Sequence, residues 1–397
     1  MKILVISQYY DPEPFRIGDI CRELVSRGHD VTVIAGVPNY PEGVIYPGYE
    51  KRQKKDETVN GVKIHRCFTI PRKTGVLYRF LNYYSYAISA SAYVKTLPGD
   101  FDVVFINQLS PVMMAQAGVT YSRKHKTPLI MYCLDLWPES LTAGGISRES
   151  LIYRLFHGIS KRLYTKMDKI LITSRCFSDY LQKQFGISHE KMEYLPQYAE
   201  SLFQDIPKTP KKNGWNFTFA GNIGEAQSVD TILRAAAMLE DTDAQFHIVG
   251  SGSEFSNMQA LAEELALTNV TFHGRRPLEE MPAFYAMSDA MLITLKKDPV
   301  LSLTLPGKVQ SYMAAGKPII GAIDGETATV IAEADCGYCG PGEDADALAA
   351  NLRRFMDGRD ITKMGQNARS HYEKAFDKTL FVEQLISCLE AHANKFS

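Results

Sequence analysis

The stretch around Lys308 contains the residue types that an anion site needs. A turn is predicted for Thr304, Leu305, Pro306 and Gly307, because proline fixes φ and glycine permits almost any φ. The apolar spacing that follows predicts a short helix from Lys308 to Ala315, ended by Gly316. A helix N-terminus binds anions through its free N–H groups and its dipole. A cation in the first turn is unfavourable beside the positive end of that dipole, so Lys308 indicates a negative ligand nearby. We also expect the Lys308 side chain to contribute little packing.

A second glycine-containing loop follows a predicted strand in the same half of the chain. It comprises Gly221, Asn222, Ile223 and Gly224, whose backbone amides are predicted to face an anion. Taken alone, each loop is better explained as a tight turn between a strand and a helix. Two such loops in one domain favour a ligand site, because ligands of parallel α/β sheets bind beyond the carboxyl ends of the strands.

Candidate residues in the first half of the chain also follow predicted strands. They are Arg16, Gly18, Asn39, Asp135, Trp137 and Glu139. Asp135 is the carboxylate best placed to touch a ligand, and a structural role explains it equally well. Arg16 fits a contact to a phosphate or another ligand, and it also fits a solvated arginine in a first helical turn.

Alternating strand and helix patterns predict an α/β protein with two Rossmann-like, doubly wound domains that position these loops. The first domain is predicted to span residues 1–198 and the second residues 214–376. Residues 199–213, which contain prolines and lysines, predict a hinge between them. Residues 377–397 predict a final helix.

The length and the net charge of the chain are those of an ordinary globular protein. The chain has 397 residues, enough for two or three domains, and a formal charge of −1, which calls for no nucleic acid partner. Seven scattered cysteines and no signal-like amino terminus predict reduced thiols and a cytoplasmic protein. Residues 103–122 are uncharged but contain Asn107 and Pro111, so they predict a strand and a helix instead of one membrane span.

Three Asp-x-Asp sequences raise the question of a metal site. They are residues 100–102, 241–243 and 344–346. The first two precede predicted strands, at the end of the sheet away from a Rossmann ligand site, and the third has the position of a helix cap. We therefore predict no metal site and no metal requirement.

Three motifs, in this order along the chain, resemble the family-four glycosyltransferases. The opening MKILVISQYY with ELVSRGHDVTVIAG is similar to the family's first strand-helix-strand unit. FTFAGNIGEAQSVDTILRAA is similar to the start of its second domain, and YMAAGKPII to its donor-site helix. The resemblance covers nearly the whole chain. NYPEG and LDLWPES look most like the fucosamine-type transferases of bacterial O-antigen and capsule synthesis.

The resemblance implies a fold, a reaction and partners. The fold would be GT-B, with two domains facing across a cleft and a last helix packing back toward the first domain. The reaction would be metal-independent transfer, with retention, from a UDP-sugar to a lipid-linked saccharide. The protein would then work at the inner face of the cytoplasmic membrane. A predicted helix over residues 76–97, rich in aromatic residues, is either a packed crossover helix or, in part, a membrane-facing patch.

The acceptor side of the cleft is predicted to include Arg16, Gly18, Asn39, Trp137 and Glu139, and Asp135 is predicted to be catalytic together with Lys308. The resemblance also assigns donor-site residues, with departures from the family pattern. Arg275 and Arg276 match the loop that binds the base. Asn222 and Gln227 stand where the family usually has an arginine and a lysine, and Leu303 and Ser311 stand where it has paired glutamates. Lys308 is therefore expected to stabilise the diphosphate charge. Glu326 is expected either to replace the ribose contact or to be a helix N-terminal carboxylate.

Two other functions fit the same architecture. One is a two-lobed sugar-binding protein without chemistry, which is normally exported. The other is a different enzyme on this fold, such as a nucleotide-sugar epimerase or a phosphorylase. Acceptor-dependent release of UDP indicates a transferase, whereas a changed sugar without release indicates an epimerase.

Overall fold

The structure is a computed structural model that describes residues 1–73, 75–207, 214–358 and 360–394. It divides into two compact units. Unit 1 comprises residues 1–173, 177–195 and 382–397, and unit 2 comprises residues 174–176 and 196–381. Part of the predicted hinge, residues 208–213, lies outside the described residues.

Unit 1 is built on an eight-stranded sheet. Its strands are β1 (Lys2–Ile6), β2 (Asp30–Gly36), β3 (Asp56–Val59), β4 (Val62–Cys67), β5 (Val103–Gln108), β6 (Leu129–Cys133), β7 (Lys169–Ile172) and β8 (Met192–Tyr194). The order is β3-β4-β2-β1-β5-β6-β7-β8, and every pairing is parallel except β3 with β4. The central strands are continuous apolar runs because helices cover both of their faces.

Five helices accompany this sheet. They are α1 (Ile17–Ser26), α2 (Val76–Val94), α3 (Ala115–His125), α4 (Leu151–Tyr164) and α5 (Cys176–Phe185). The uncharged stretch over residues 103–122 is divided between β5 and α3, as predicted. The helix predicted over residues 76–97 ends at Val94. Among the described residues, no helix has the length and apolar composition that crossing a bilayer requires.

Unit 2 is built on a six-stranded, fully parallel sheet in the order β11-β10-β9-β12-β13-β14. The strands are β9 (Trp215–Ala220), β10 (Ala244–Val249), β11 (Val270–Gly274), β12 (Ala290–Thr294), β13 (Ile319–Ala322) and β14 (Gly337–Gly340). The chain order reverses at β9, which has β10 on one side and β12 on the other. Loops that follow these strands therefore meet at a topological switch point, where α/β sheets bind ligands.

Eight helices follow in chain order. They are α6 (Val229–Ala237), α7 (Phe255–Glu264), α8 (Met281–Met287), α9 (Gly307–Ala314), α10 (Glu326–Glu333), α11 (Ala345–Asp357), α12 (Ile361–Ala375) and α13 (Lys378–Ala393). The first residues of α13 belong to unit 2, and the residues from Val382 onward belong to unit 1. There Gln384 Nε2 donates to the carbonyl oxygen of Tyr194, at the end of β8, at 3.0 Å. The two Rossmann-like domains predicted from the sequence are confirmed.

Candidate functional site

The N-terminus of α9 presents unused backbone donors. Pro306 is extended, with φ −61° and ψ 136°, and α9 spans Gly307–Ala314, one residue earlier at each end than predicted. Val309 donates its N–H to the carbonyl oxygen of Pro306. In the described part of the chain, the N–H groups of Gly307 and Lys308 have no acceptor. Two free N–H groups at the positive end of a helix form an anion-binding arrangement.

Lys308 is more deeply placed than the sequence predicts. Its Nζ is buried and has no hydrogen-bond partner among the described residues. The ammonium lies 3.9 Å from the centre of the Phe219 ring on β9. Burial lowers the pKa of Lys308 from its ordinary 10.5 to about 7. The expectation of a lysine with little packing is therefore wrong, and the buried ammonium lacks the acceptor that an anionic ligand would supply.

The loop after β9 lies against this ammonium. A Cβ on Gly221 would be 2.9 Å from Lys308 Nζ, and the backbone there has φ +145°. A side chain at this position would push the lysine aside, and the φ value itself favours glycine. Gly221 therefore makes room for the ammonium beneath the loop.

Most amides of the 221–224 loop are not available to a ligand. Gly221 N–H donates to the carbonyl oxygen of Val249 and Ile223 N–H to that of Ser251, both at 2.9 Å. Gly224 N–H donates to Gln227 Oε1 at 3.1 Å. The prediction of an anion cradle made of these amides is therefore wrong for three of the four residues. Hydrogen bonding between β9 and β10 continues beyond the strand ends and uses the donors of Gly221 and Ile223, and the Gln227 side chain uses that of Gly224.

Asn222 and Gln227 bond to one another where the family pattern has charged residues. Asn222 Nδ2 donates to Gln227 Oε1 at 3.0 Å. This neutral pair shapes the loop but supplies no positive charge. Lys308 supplies a cation next to Gly221 of this loop.

The turn before α9 is held by hydroxyl groups and one apolar anchor. Thr304 Oγ1 donates to the carbonyl oxygen of Leu301 at 2.7 Å. The carbonyl oxygen of Thr304 in turn accepts from Thr327 Oγ1 at 3.2 Å. Leu305 is buried in the core of unit 2. These contacts fix the direction in which the first N–H groups of α9 point.

Glu326 has structural partners on both carboxylate oxygens. It is the first residue of α10 and is 3% exposed. Oε1 accepts from Arg175 Nε at 2.9 Å, and Oε2 accepts from Cys176 Sγ at 3.2 Å. The structure therefore shows the helix N-terminal carboxylate with a donor on each oxygen, and the ribose contact stays a prediction. Sequence reasoning missed Arg175, although its position directly after β7 is a signal that could have found it.

Arg275 and Arg276 follow β11 and are both exposed. Arg276 Nε donates to the carbonyl oxygen of His273 at 3.0 Å, which holds the start of its side chain against the strand end. An exposed guanidinium plane can stack on a base, so the assignment of both arginines to base binding stays a prediction.

Asp135 lies at the carboxyl end of β6 in unit 1. Its Oδ2 accepts from Ser140 Oγ at 2.6 Å, and Ser110 is hydrogen-bonded to the same side chain. The indole N–H of Trp137 donates to Ser110 Oγ at 2.7 Å. Burial raises the pKa of Asp135 to about 6, and the hydrogen bonds oppose that shift. A carboxyl group that changes charge near neutral pH remains a candidate for contact with substrate.

Glu139, Trp137 and Asn39 are buried instead of open to an acceptor. Glu139 is 3% exposed and accepts hydrogen bonds from Arg148, Tyr153 and Tyr180. Trp137 is 1% exposed. Asn39 Oδ1 accepts from the Arg72 N–H at 2.8 Å. Predicting these residues as acceptor contacts is therefore wrong, because the loops that carry them fold inward onto unit 1.

Gly18 and Arg16 flank the start of α1. A Cβ on Gly18 would lie 2.1 Å from Asp11 Oδ1, so the Asp11 carboxylate occupies the space beside this glycine. Arg16 directly precedes α1 with helical φ and ψ. Its charge acts on Tyr132 of β6, where burial raises the phenol's pKa and Arg16 opposes that shift. Arg16 stays a predicted ligand contact, whereas Gly18 is explained by Asp11.

Glu139→Ala should destabilise the fold by about 2–3 kcal/mol, because it leaves the buried Tyr153 hydroxyl and the partly buried Tyr180 hydroxyl without their acceptor. Urea unfolding followed by circular dichroism measures the change. Glu149→Ala, at an exposed residue ten positions along the chain, is the control and should change stability by less than about 0.5 kcal/mol. Equal stability of the two variants would contradict the structural role.

The three Asp-x-Asp sequences have the structural positions predicted for them. Residues 100–102 lie before β5, where Asp100 pairs with Lys2 at 2.7 Å, and Asp241 before β10 pairs with Arg353 at 2.7 Å. Asp344 caps α11 by accepting from the Ala347 N–H at 2.8 Å. Across the described ranges, no group of three or more His, Cys, Asp or Glu side chains is arranged to hold a metal ion.

Proteins with related sequences include two bacterial transferases. The chain is 26% identical over 340 residues to WbjE of Pseudomonas aeruginosa, provisionally assigned as a glycosyltransferase, covering 81% of this chain and 83% of WbjE. It is 24% identical over 417 residues to WcaI of Escherichia coli, provisionally assigned as a colanic acid biosynthesis glycosyl transferase, covering 98% and 99%. Among solved structures, Anabaena HepE in complex with UDP-glucose superposes with a TM-score of 0.70 at 15% identity, covering 98% of this chain and all of HepE.

Two family models match the chain, one in each half. The glycosyl transferase 4-like domain matches residues 15–197, and the glycosyl transferases group 1 domain matches residues 203–371. Each match contains most of one sheet, and the second contains α9, Lys308 and the loop after β9. The chain therefore belongs to the group 1 glycosyltransferases and is built on the two Rossmann-like domains of the GT-B fold.

Proposed function

We propose that this glycosyltransferase takes its sugar from a UDP-sugar whose diphosphate binds at the N-terminus of α9. The observation that carries the proposal is the buried Lys308 ammonium, which has no partner among the described residues and belongs to the helix whose first two N–H groups are unused. A diphosphate oxygen would complete the hydrogen bonding of all three groups. The solved complex of HepE with UDP-glucose, a protein of the same fold, supports UDP as the nucleotide.

Stabilisation of the leaving group is the main catalytic effect in this proposal. As the bond from sugar to phosphate breaks, negative charge grows on the diphosphate, and the α9 N–H groups and Lys308 are already oriented toward it. Because Phe219 and Gly221 confine the ammonium, it does not need to reorganise during the step. Attack from the same face retains the anomeric configuration, with the leaving phosphate taking the acceptor proton, so no protein base is required.

Asp135 is proposed to contact the acceptor or the transferred sugar. Its pKa of about 6 means that it is largely ionised at neutral pH and can accept a hydrogen bond from a sugar hydroxyl. Ser140 and Ser110 hold the carboxylate in one orientation. This role makes Asp135 a substrate-binding carboxylate instead of a general base.

The acceptor is proposed to be a lipid-linked saccharide in the synthesis of a bacterial surface polysaccharide. The relation to WcaI, which covers nearly the full length of both chains, supports a polysaccharide pathway. A lipid-linked acceptor implies that the protein works at a membrane surface, and the donor is proposed to carry an N-acetylated or deoxy-amino sugar. Peripheral association at the inner face of the cytoplasmic membrane follows from that acceptor.

Release of UDP tests the transferase function directly. The protein is incubated with a panel of UDP-sugars, with and without lipid-linked saccharides, and free UDP and the sugar products are measured. Acceptor-dependent UDP release, together with an enlarged saccharide, is the expected result. Conversion of the donor sugar without UDP release would instead identify an epimerase. Binding without either reaction would identify a sugar-binding protein.

Turnover should survive chelation of metal ions. The proposal assigns charge stabilisation to Lys308 and α9, so EDTA should change the rate of UDP release by less than about twofold. Removing a catalytic metal would cost far more, because such a metal typically stabilises the transition state by several kcal/mol. The assay compares untreated enzyme, EDTA-treated enzyme, and treated enzyme with Mg²⁺ or Mn²⁺ restored. Activity that disappears with EDTA and returns with the metal would show that metal-free transfer is the wrong mechanism.

A further inference from the structure

Three neighbouring helices of unit 1 form a layer without a single carboxylate. Helices α2, α3 and α4 contain no Asp or Glu, although the whole chain has a formal charge of −1. Their basic residues are all exposed, and in the described residues none of them forms a salt bridge; they are Arg79, Arg123, Lys124, Arg154, Lys161 and Arg162. The layer is therefore a cationic face on a nearly neutral protein, and it complements an anionic surface.

The same layer exposes large apolar side chains. On α2 these are Leu77, Tyr78, Leu81 and Ile88, and on α4 they are Leu151, Ile152 and Leu155. Leu151 is 81% exposed and Leu77 is 68% exposed. The rings of Phe80 and Phe156 stack with their centres 5.3 Å apart, so the two helices lie side by side where these residues emerge. Contiguous exposed apolar residues of this kind mark an interaction surface.

A groove continues from these side chains along the helices. It has a volume of about 390 Å³ and an apolar lining that includes Ala87, Ile88, Ala92, Met113, Ile159 and Leu163. Two cationic side chains, Lys95 and Arg162, lie at its edge. An apolar channel bordered by cations matches a hydrocarbon chain attached to a phosphate group.

We propose that the α2–α3–α4 layer docks on an anionic phospholipid bilayer and that the groove takes one acyl chain. The inference rests on the proposed membrane location of the acceptor, and it assigns that location to a surface. The cations are spread over three helices, which fits the many phosphates of a bilayer better than the single headgroup of one bound lipid. The apolar side chains of α2 and α4 enter the interface, and the basic residues contact the headgroups.

Vesicle flotation tests the docking surface. The full chain is mixed with phosphatidylcholine vesicles, with or without phosphatidylglycerol, at low and high salt. Binding is expected only with phosphatidylglycerol and should weaken with salt, because exposed charges are screened. The double substitution Leu151→Ser with Leu155→Ser should weaken binding about tenfold or more, since both side chains leave the interface. Leu278→Ser, at an exposed leucine of unit 2, is the matched control and should bind like the parent protein.

A groove-filling variant tests the acyl-chain site separately. Ala92 is exposed at the groove, so Ala92→Trp fills it without entering the core. Each protein is recovered from vesicles, and the phospholipid bound to it is measured by mass spectrometry. The variant should carry at most half as much phospholipid as the parent protein. Unchanged lipid capture by Ala92→Trp would overturn the acyl-chain site.

Other outcomes separate this surface from the proposed reaction. Equal binding to neutral and anionic vesicles, or full binding by the Leu151/Leu155 variant, would overturn the docking surface. If the parent protein self-associates and the same substitutions abolish that self-association, the layer is instead an interface between two copies of the chain. UDP release with a water-soluble acceptor is measured in parallel. Vesicle binding without any transfer would leave the surface standing and remove the proposed reaction.

Discussion

Lys308→Ala should lower turnover by about 10²–10³-fold at saturating donor, the usual cost of losing one preorganised group that stabilises developing charge. The ammonium is held above Phe219 with no protein acceptor among the described residues, so its stabilising energy is available to the leaving diphosphate. Lys308→Met is the matched variant, because it keeps an apolar stem against the Phe219 ring. Both variants should lose activity to a similar extent.

Neither substitution should unfold the protein. A buried ammonium without a partner opposes folding, so its removal offsets the packing that the alanine variant loses. Lys308→Met should be at least as stable as the parent protein in urea. Lys308→Arg should recover only part of the turnover, since a planar guanidinium does not fit the space of an ammonium. A folded Lys308→Ala protein with near-normal turnover would show that the lysine does not stabilise the leaving group.

The lowered pKa of Lys308 adds a pH dependence to the same test. Between about pH 7 and 10.5 the unfolded chain holds a proton that the folded chain has released, so the free energy of unfolding should rise with pH across this window. A bound diphosphate raises the pKa again, and UDP binding then takes up a proton. The affinity for UDP should therefore fall with pH above 7, by up to about tenfold per pH unit. Titration calorimetry should show this slope in the parent protein and not in Lys308→Met.

Gly250→Ala should destabilise the protein by about 3 kcal/mol or more and abolish donor binding. Gly250 has φ +147°, a backbone conformation that side chains rarely adopt, and its Cβ would lie 1.8 Å from the carbonyl oxygen of Gly221. The strained backbone and the overlap each cost about 1–3 kcal/mol. Because the overlap is with backbone, relief requires the loop after β9, which borders Lys308, to shift. Urea unfolding and UDP binding measure the two effects.

Gly28→Ala is the control for the backbone conformation alone. Gly28 has φ +86°, and a Cβ there would meet nothing within 4 Å. This variant should lose about 1 kcal/mol of stability and keep its affinity for UDP. If Gly250→Ala behaved like Gly28→Ala, the close packing of the two loops would not matter for the donor site.

The fold was largely predictable from local patterns. Each buried strand is a short apolar run and each helix has its own spacing and end signal, so the division of residues 103–122 and the position of α9 follow from neighbouring residues. The turn of Pro306 and Gly307 likewise determines where the free N–H groups of α9 begin. These features depend on interactions within a few residues, which is why the sequence by itself determined them.

The contacts of the candidate site were decided by the tertiary structure. Whether the amides of the 221–224 loop are free depends on the hydrogen bonds that β10 and the residues after it make to them. The burial of Lys308 depends on Phe219, which is distant in the chain, and the environment of Glu139 depends on Tyr180, on a separate helix. No local pattern records these partners, because each arises only when strands and helices pack side by side. The sequence by itself thus determined which residues carry charge and where the turns lie, whereas packing decided which of those groups remain available to a ligand.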